Sequence, residues 1–202
     1  LVEWAQRTIP EAEAEGDWLQ VQSLTFLLRT LYEDTHQTAS FNAYEESLEK
    51  VNRRVSLLAR YAPDRLHQLR TLQAERNGED PPEPLNPATV INWEERLDGI
   101  KFRMLVDSLD TAATEHINSS GWYPLLQGGL ESLYLVATMP SLSESFPLLA
   151  EDEKRAVWIE QIEHELAQPG EYQSWFEGRR KCLGCLNRLL EANENAVGLP
   201  PE

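Results

Sequence analysis

Thiols, imidazoles and carboxylates do most protein chemistry near neutral pH, and this chain offers few spacings that could bring them together. Cys182-Leu-Gly-Cys185 has the spacing of a thiol pair that grips zinc or carries a redox disulfide. Four-coordinate zinc needs a second such pair or two histidines, and neither lies near it. A redox pair of this kind follows a strand in a βαβ unit. Here it lies inside a helical period, with Cys182 on the apolar stripe and Cys185 on its flank. The two cysteines, the only ones in the chain, are expected to be packing residues.

Glu33-Asp-Thr-His36 and Asp64-Arg-Leu-His67 each set a carboxylate three residues before a histidine, on one helix face. Di-iron bundles use Glu-x-x-His from two helices and a glutamate from each of two more; here one pair carries Asp and both lie at helix ends. Glu160 and His164 are one turn apart, but Glu163 and Glu165 beside them mark a solvated face. Structural pairing is expected in each case. Glu95-Arg-Leu-Asp98 resembles half of the Glu-x-x-Glu…Glu-x-x-Asp magnesium signature of all-α nucleotide pyrophosphohydrolases. A proline-rich segment occupies the place of the other half, so four converging carboxylates are not expected. Glycine-rich phosphate loops and Gly-x-Ser-x-Gly turns do not occur. No catalytic, metal-binding or cofactor-binding residue is assigned, and no cofactor is expected.

The elements that would position such groups read as helices. Phe41, Tyr44, Leu48, Val51, Val55 and Leu58 advance in steps of three and four, as do Val90, Trp93, Leu97, Ile100 and Met104, and Tyr172, Trp175, Arg179, Cys182, Leu186 and Leu189. No run alternates polar and apolar residues between hairpin-turn signals, so the fold class is all-α. Gly16-Asp17 ends a first helix and caps a second, Trp18 to about Asp34; Ser40 or Asn42 caps a third, running to Arg60. Pro63 opens a fourth, closed by Asn77-Gly78. One long helix is expected from Pro87 or Ala88 to His116, and a shorter one after Gly128-Gly129 that stops before Pro140. Another starts at the acidic Glu151-Asp152-Glu153 turn, and the last runs from Glu171 to about Asn193 before a fraying tail, 198–202. About eight helices with short connections imply stacked antiparallel helical hairpins.

Gly78-Glu79-Asp80-Pro81-Pro82-Glu83-Pro84-Leu85-Asn86-Pro87 holds four prolines in ten residues and cannot be crossed by a helix. It divides the chain into two helical subdomains, 1–77 and 88–202, joined by the linker 78–87. Nine basic and twelve acidic residues give net −3 before it; nine and nineteen give −10 after it. The acidity is concentrated in the second half.

Trp4 and Ala5 on the first helix, then Glu15-Gly16-Asp17-Trp18 entering the second, resemble the middle of a tetratricopeptide repeat. That family places a Gly-Asp-aromatic turn between paired helices, and the resemblance implies a helical hairpin that binds a protein partner. It covers residues 1–35 and carries over no site residue. Val21 and Leu28 stand where the family favours small residues, and no second copy follows at a 34-residue period.

With 202 residues, 41% apolar and 26% charged, the chain can bury a core, and its apolar runs are too short for a membrane-spanning helix. Net charge −16 argues against nucleic acid and anionic lipid as direct partners. The chain opens at Leu1 inside what reads as a helix, as a trimmed protein or a domain of a longer one would, and is expected in the cytoplasm. Two loop-like segments carry bulky apolar residues, Asn118 to Pro124 with Trp122 and Tyr123, and Pro140 to Leu149 with Phe146. These aromatics are candidate anchors for a partner, and Glu160, Glu163 and Glu165 candidate steering charges. The basic triplet Arg179-Arg180-Lys181 is expected to pair with nearby glutamates. The expected function is a non-enzymatic protein–protein interaction module, an adaptor or regulatory domain, binding a partner with a basic surface. The alternatives are an acidic chaperone or inhibitor covering a basic or nucleic-acid-binding site, and a helical metal-dependent enzyme with a carboxylate/His site.

Overall fold

The computed structural model describes residues 1–86, 92–115, 121–168 and 174–197, and among these the regular structure is helix alone. The chain divides into two units, Leu1–Ile91 and Asn92–Glu202.

The first unit contains α1 (Val2–Glu15), α2 (Trp18–Asp34), α3 (Thr38–Tyr61) and α4 (Pro63–Asn77). Gly16 takes φ +70°, and its N–H and that of Asp17 bond back to the carbonyls of Glu13 and Ala12 at 3.1 and 2.8 Å. The Asp17 carboxylate accepts from the Gln20 N–H at 3.0 Å, so one residue after α1 ends, α2 is already capped. α2 is the centre of the unit, touching α1, α3 and α4. Ala5, Leu24 and Leu28 form a buried cluster ringed by Ile9, Tyr32 and Tyr44; alanine at position 5 lets α1 approach α2 closely. Val21 and Leu28 are both buried.

The α3 stripe is only partly core: Val51 and Leu58 are buried, Leu48 and Val55 half-buried. Polar pairs share the α2–α3 seam, Gln22 with Asn52 at 2.7 Å and Arg29 with Glu45, and they hold part of that face near solvent. α3 also begins before the expected caps. His36 turns the chain at φ +55° and Gln37 precedes the first helical residue with no side-chain cap. Residues 79–86, the described part of the proline-rich segment, carry no regular structure.

The second unit contains α5 (Trp93–Leu97), α6 (Phe102–Glu115), α7 (Trp122–Ala137), α8 (Asp152–Leu166) and α9 (Trp175–Ala192). Two 3-10 turns, Pro140–Leu142 and Pro147–Ala150, join α7 to α8, and a π turn, Asn193–Val197, follows α9. Its core gathers Leu130, Leu149, Trp158, Ile162, Cys185 and Leu189; a second cluster is Ala113, Trp122 and Cys182.

Here the structure corrects three expectations. The long helix after the linker is broken at Asp98–Lys101, because Gly99 takes φ +78° and ends α5 as a left-handed cap; its expected start at 87–91 lies outside the described residues. The helix expected after Gly128-Gly129 begins at Trp122 and runs through both glycines, which keep helical φ. Pro124 sits in its first turn, where no N–H is required, and Gly121 at φ +72° supplies the entry bend. The last helix starts at Trp175, capped by the Ser174 hydroxyl accepting from Glu177 N–H at 3.2 Å; residues 171–173 and 198–202 lie outside the described residues.

Candidate functional site

A cleft of about 300 Å3 opens in the second unit where α7, the end of α8 and the middle of α9 meet. Leu126 and Leu130 of α7 and Leu166 of α8 supply its apolar walls, and Tyr123 stands at one edge. Gly184 forms part of the floor, at a point where the Arg188 guanidinium lies 3.4 Å from the position a Cβ would take. A glycine inside a helix costs roughly 0.5–1 kcal/mol against alanine, so this open floor is held at the expense of helix stability.

At the back of the cleft Glu165 is almost wholly buried, its side chain 1% exposed, and it receives two bonds of 2.7 Å from Arg188, whose side chain is 53% exposed. Gln161 donates a further 2.9 Å bond. Burial alone would push the Glu165 carboxyl up, but hydrogen bonds from Arg188 and Cys185 and the Arg188 charge outweigh it and hold the group below its ordinary value. Around the rim stand Arg180, Lys181 and Arg188, so the cleft presents three cations and one anion within a half of net charge −10.

The basic triplet thus splits. Arg179 makes a two-pronged bond to Asp110 of α6, at 2.8 and 2.9 Å, and Lys181 reaches Glu177 at 3.1 Å. Arg180 is exposed and has no ion-pair or hydrogen-bond partner among the described residues.

A second feature lies on the solvent side of α8. Glu153, Val157, Glu160 and Glu163 line one exposed face in helical steps, and Val157, 52% exposed, borders a shallow hollow of about 290 Å3 with Glu153, Lys154, Ala192 and Asn195, Lys154 being paired with Glu151 at 2.8 Å.

Of the residues singled out from the sequence, Glu160 and Glu163 are exposed on this face. Glu165 is a correction: it is one of the most buried charges in the chain, because its helical step points inward to Arg188, and it cannot steer a partner. Trp122 is a second correction, since as the first residue of α7 it is buried against Ala113 and Cys182 rather than offered in a loop. Phe146 is half-buried, its ring 5.2 Å from that of Trp93 and packed on the core, which leaves it a plug rather than a protruding anchor. Tyr123 is half-buried at the cleft edge. Among the described residues the exposed aromatics of this unit are instead Trp175 and Phe176, whose rings meet edge-on at 5.2 Å.

Both cysteines are buried free thiols. Burial pushes the Cys182 thiol up to about 11; burial and the Glu165 charge push Cys185 up to about 12. Either would have to ionise to bind zinc or attack a disulfide, which these surroundings oppose. His36 lies in the turn between α2 and α3 and His67 on α4, and no group of three or more His, Cys, Asp or Glu able to hold a metal occurs among the described residues. No helix of the described residues is long and apolar enough to cross a membrane. Gly184 and Arg188 were missed as site residues by sequence reasoning, and Arg180 was read only as a member of a paired basic triplet; a glycine in the middle of an otherwise well-formed helical stripe was a signal that pointed to the cleft. No family model, curated protein or solved structure matches the chain.

Proposed function

We propose that the chain is a non-enzymatic protein–protein interaction module, an adaptor or regulatory domain, that docks a partner with a basic surface on the solvent face of α8. The supporting observation is the arrangement of Glu153, Glu160 and Glu163 around exposed Val157 and its hollow. Such a surface combines charges that speed encounter with an apolar seat that slows release. The module acts in the cytoplasm, where two unpaired thiols stay reduced. The α1–α2 pair, with its Gly16-Asp17-Trp18 turn, serves as a tetratricopeptide-like hairpin in the same assembly.

The test attaches a photo-cross-linker to a Val157→Cys variant in a native extract, with and without Glu153→Lys, Glu160→Lys and Glu163→Lys together. The expected result is a protein adduct at a Lys/Arg-rich segment, lost on charge reversal, whose association slows several-fold between low and physiological salt. An adduct indifferent to both salt and charge reversal would overturn the reading.

A further inference from the structure

The cleft between α7, α8 and α9 is chemically the opposite of the α8 face, and the proposal above gives it no role. Its walls are apolar, its floor is opened by a helical glycine, and its rim is cationic in an acidic half. Three observations fix the character of an occupant. First, Lys181 is paired with Glu177 and Arg188 with Glu165, so Arg180 is the lining cation with no carboxylate partner among the described residues, in a half of net charge −10, and the cleft offers an anion an uncompensated positive charge. Second, the donors that face the opening are not used up. Arg188 spends Nε and one Nη2 hydrogen on Glu165, which leaves other guanidinium hydrogens on a half-exposed side chain, and Arg180 is without a partner among the described residues. Third, about 300 Å3 is the lower end of ligand-site volumes, enough for one bulky side chain but not for a large cofactor.

Glu165 has a positioning part in this. Its buried carboxylate clamps Arg188 in one geometry, so the guanidinium is held across the Gly184 floor before anything binds. A preorganised fork spends less rotamer entropy on capturing a carboxylate than a free arginine does.

We infer that this cleft receives an acidic–apolar peptide segment of a second partner protein, with a Leu or Phe side chain seated between Leu126, Leu130 and Leu166 over Gly184 and a neighbouring Asp or Glu carboxylate on Arg180 and Arg188. The inference goes beyond the α8 face and does not rest on it.

The experiment uses the full chain, uniformly 15N-labelled, and a pool of nonapeptides with a central Leu or Phe flanked by Asp or Glu. Parallel pools replace the acidic residues by Lys, or the central residue by Ala, and octanoate is run as a small-molecule arm. Binding is followed by amide shifts and fluorescence anisotropy. The acidic–apolar pool should shift the amides of Gly184, Leu130 and Leu166 with saturable affinity, and both altered pools should bind at least about tenfold more weakly. Arg180→Glu, at an exposed position, should weaken binding about tenfold or more with the far-UV spectrum unchanged. Gly184→Leu should abolish it by filling the floor, and Arg103→Glu on α6 should leave it unchanged. The variant with the three α8 glutamates reversed should retain it, which separates failure here from failure of the α8 proposal. Any of three outcomes overturns the inference: no saturable shift at the cleft amides, equal binding of the Lys pool, or octanoate binding while every peptide pool fails.

Discussion

Among the described residues each unit buries one carboxylate against an arginine from another helix, and the two pairs behave differently. In the first unit Asp17, 4% exposed at its side chain, meets Arg76 of α4. In the second, Glu165, 1% exposed, meets Arg188 of α9. Asp17 is the N-cap of α2: it accepts from the Gln20 N–H and sits at the positive end of the helix dipole. Glu165 is one residue from the end of α8, where the dipole opposes an anion and the backbone offers carbonyls rather than N–H groups. Asp17 would be held with or without its arginine. Glu165 depends on side chains alone. The first pair ties a hairpin to its neighbour. The second holds an arginine still at the edge of a cleft, and its cost is of the kind found at sites that are kept for use.

The sharpest way to break this contrast is to delete the cations. Arg188→Ala should destabilise the chain by about 3–5 kcal/mol, because it leaves a buried carboxylate uncompensated. Arg76→Ala should cost about 1–2 kcal/mol, since the α2 N-terminus still satisfies Asp17. Urea unfolding measures both, and equal losses would show that the dipole makes no difference.

Neutralising the anions isolates the same point at smaller scale. Asp17→Asn keeps a good cap and should change stability by less than about 1 kcal/mol. Glu165→Gln gives up charge-assisted bonds to Arg188 and should cost about 1–3 kcal/mol, read in the same denaturation series.

Acid should weaken the second pair. The Glu165 carboxyl is held below its ordinary value of 4.5, so its contribution is complete above 4.5 and is lost as the pH falls below that toward the folded value. Stability of the parent chain should therefore drop more steeply below 4.5 than that of Glu165→Gln. Parallel pH profiles for the two would remove the pairing from the account.

A further small effect concerns the thiol that also touches Glu165. Cys185→Ala should lose about 1 kcal/mol, the worth of one hydrogen bond with little change of volume. With the thiols at about 11 and about 12, iodoacetamide should modify native Cys182 and Cys185 far more slowly than the urea-unfolded chain at neutral pH. Rapid native alkylation would mean that the second unit opens locally or that the thiols are not buried.

Where a helix begins and ends was readable wherever a local residue sets the backbone. Gly16 and Gly78 take positive φ and end helices as their sequence position implies, and Pro63 opens α4. The same rule fails at Gly99, which breaks a helix expected to continue, and at Gly128-Gly129, which do not break one. A glycine permits a left-handed turn but does not demand it; the surrounding packing decides. Trp122 shows the consequence: once Pro124 is taken into the first turn of α7, a residue read as a loop anchor becomes core.

By itself the sequence determined the helical class, the hairpin built on Gly16-Asp17-Trp18, the burial of the cysteine pair and the acidity of the second half, because these follow from the 3.6-residue period, from backbone dihedrals and from composition. Only the tertiary structure decided which charges face water. Glu160, Glu163 and Glu165 are indistinguishable by residue type, yet the inward step of one helix turn sends Glu165 to Arg188, 23 residues away along the chain. The cleft arises the same way, since Leu130, Leu166, Arg180 and Gly184 come from three helices and have no shared local pattern. A period is a property of a segment, and it fixes segments; a pair of opposite charges meets, and a cavity opens, only where separate segments are packed against one another.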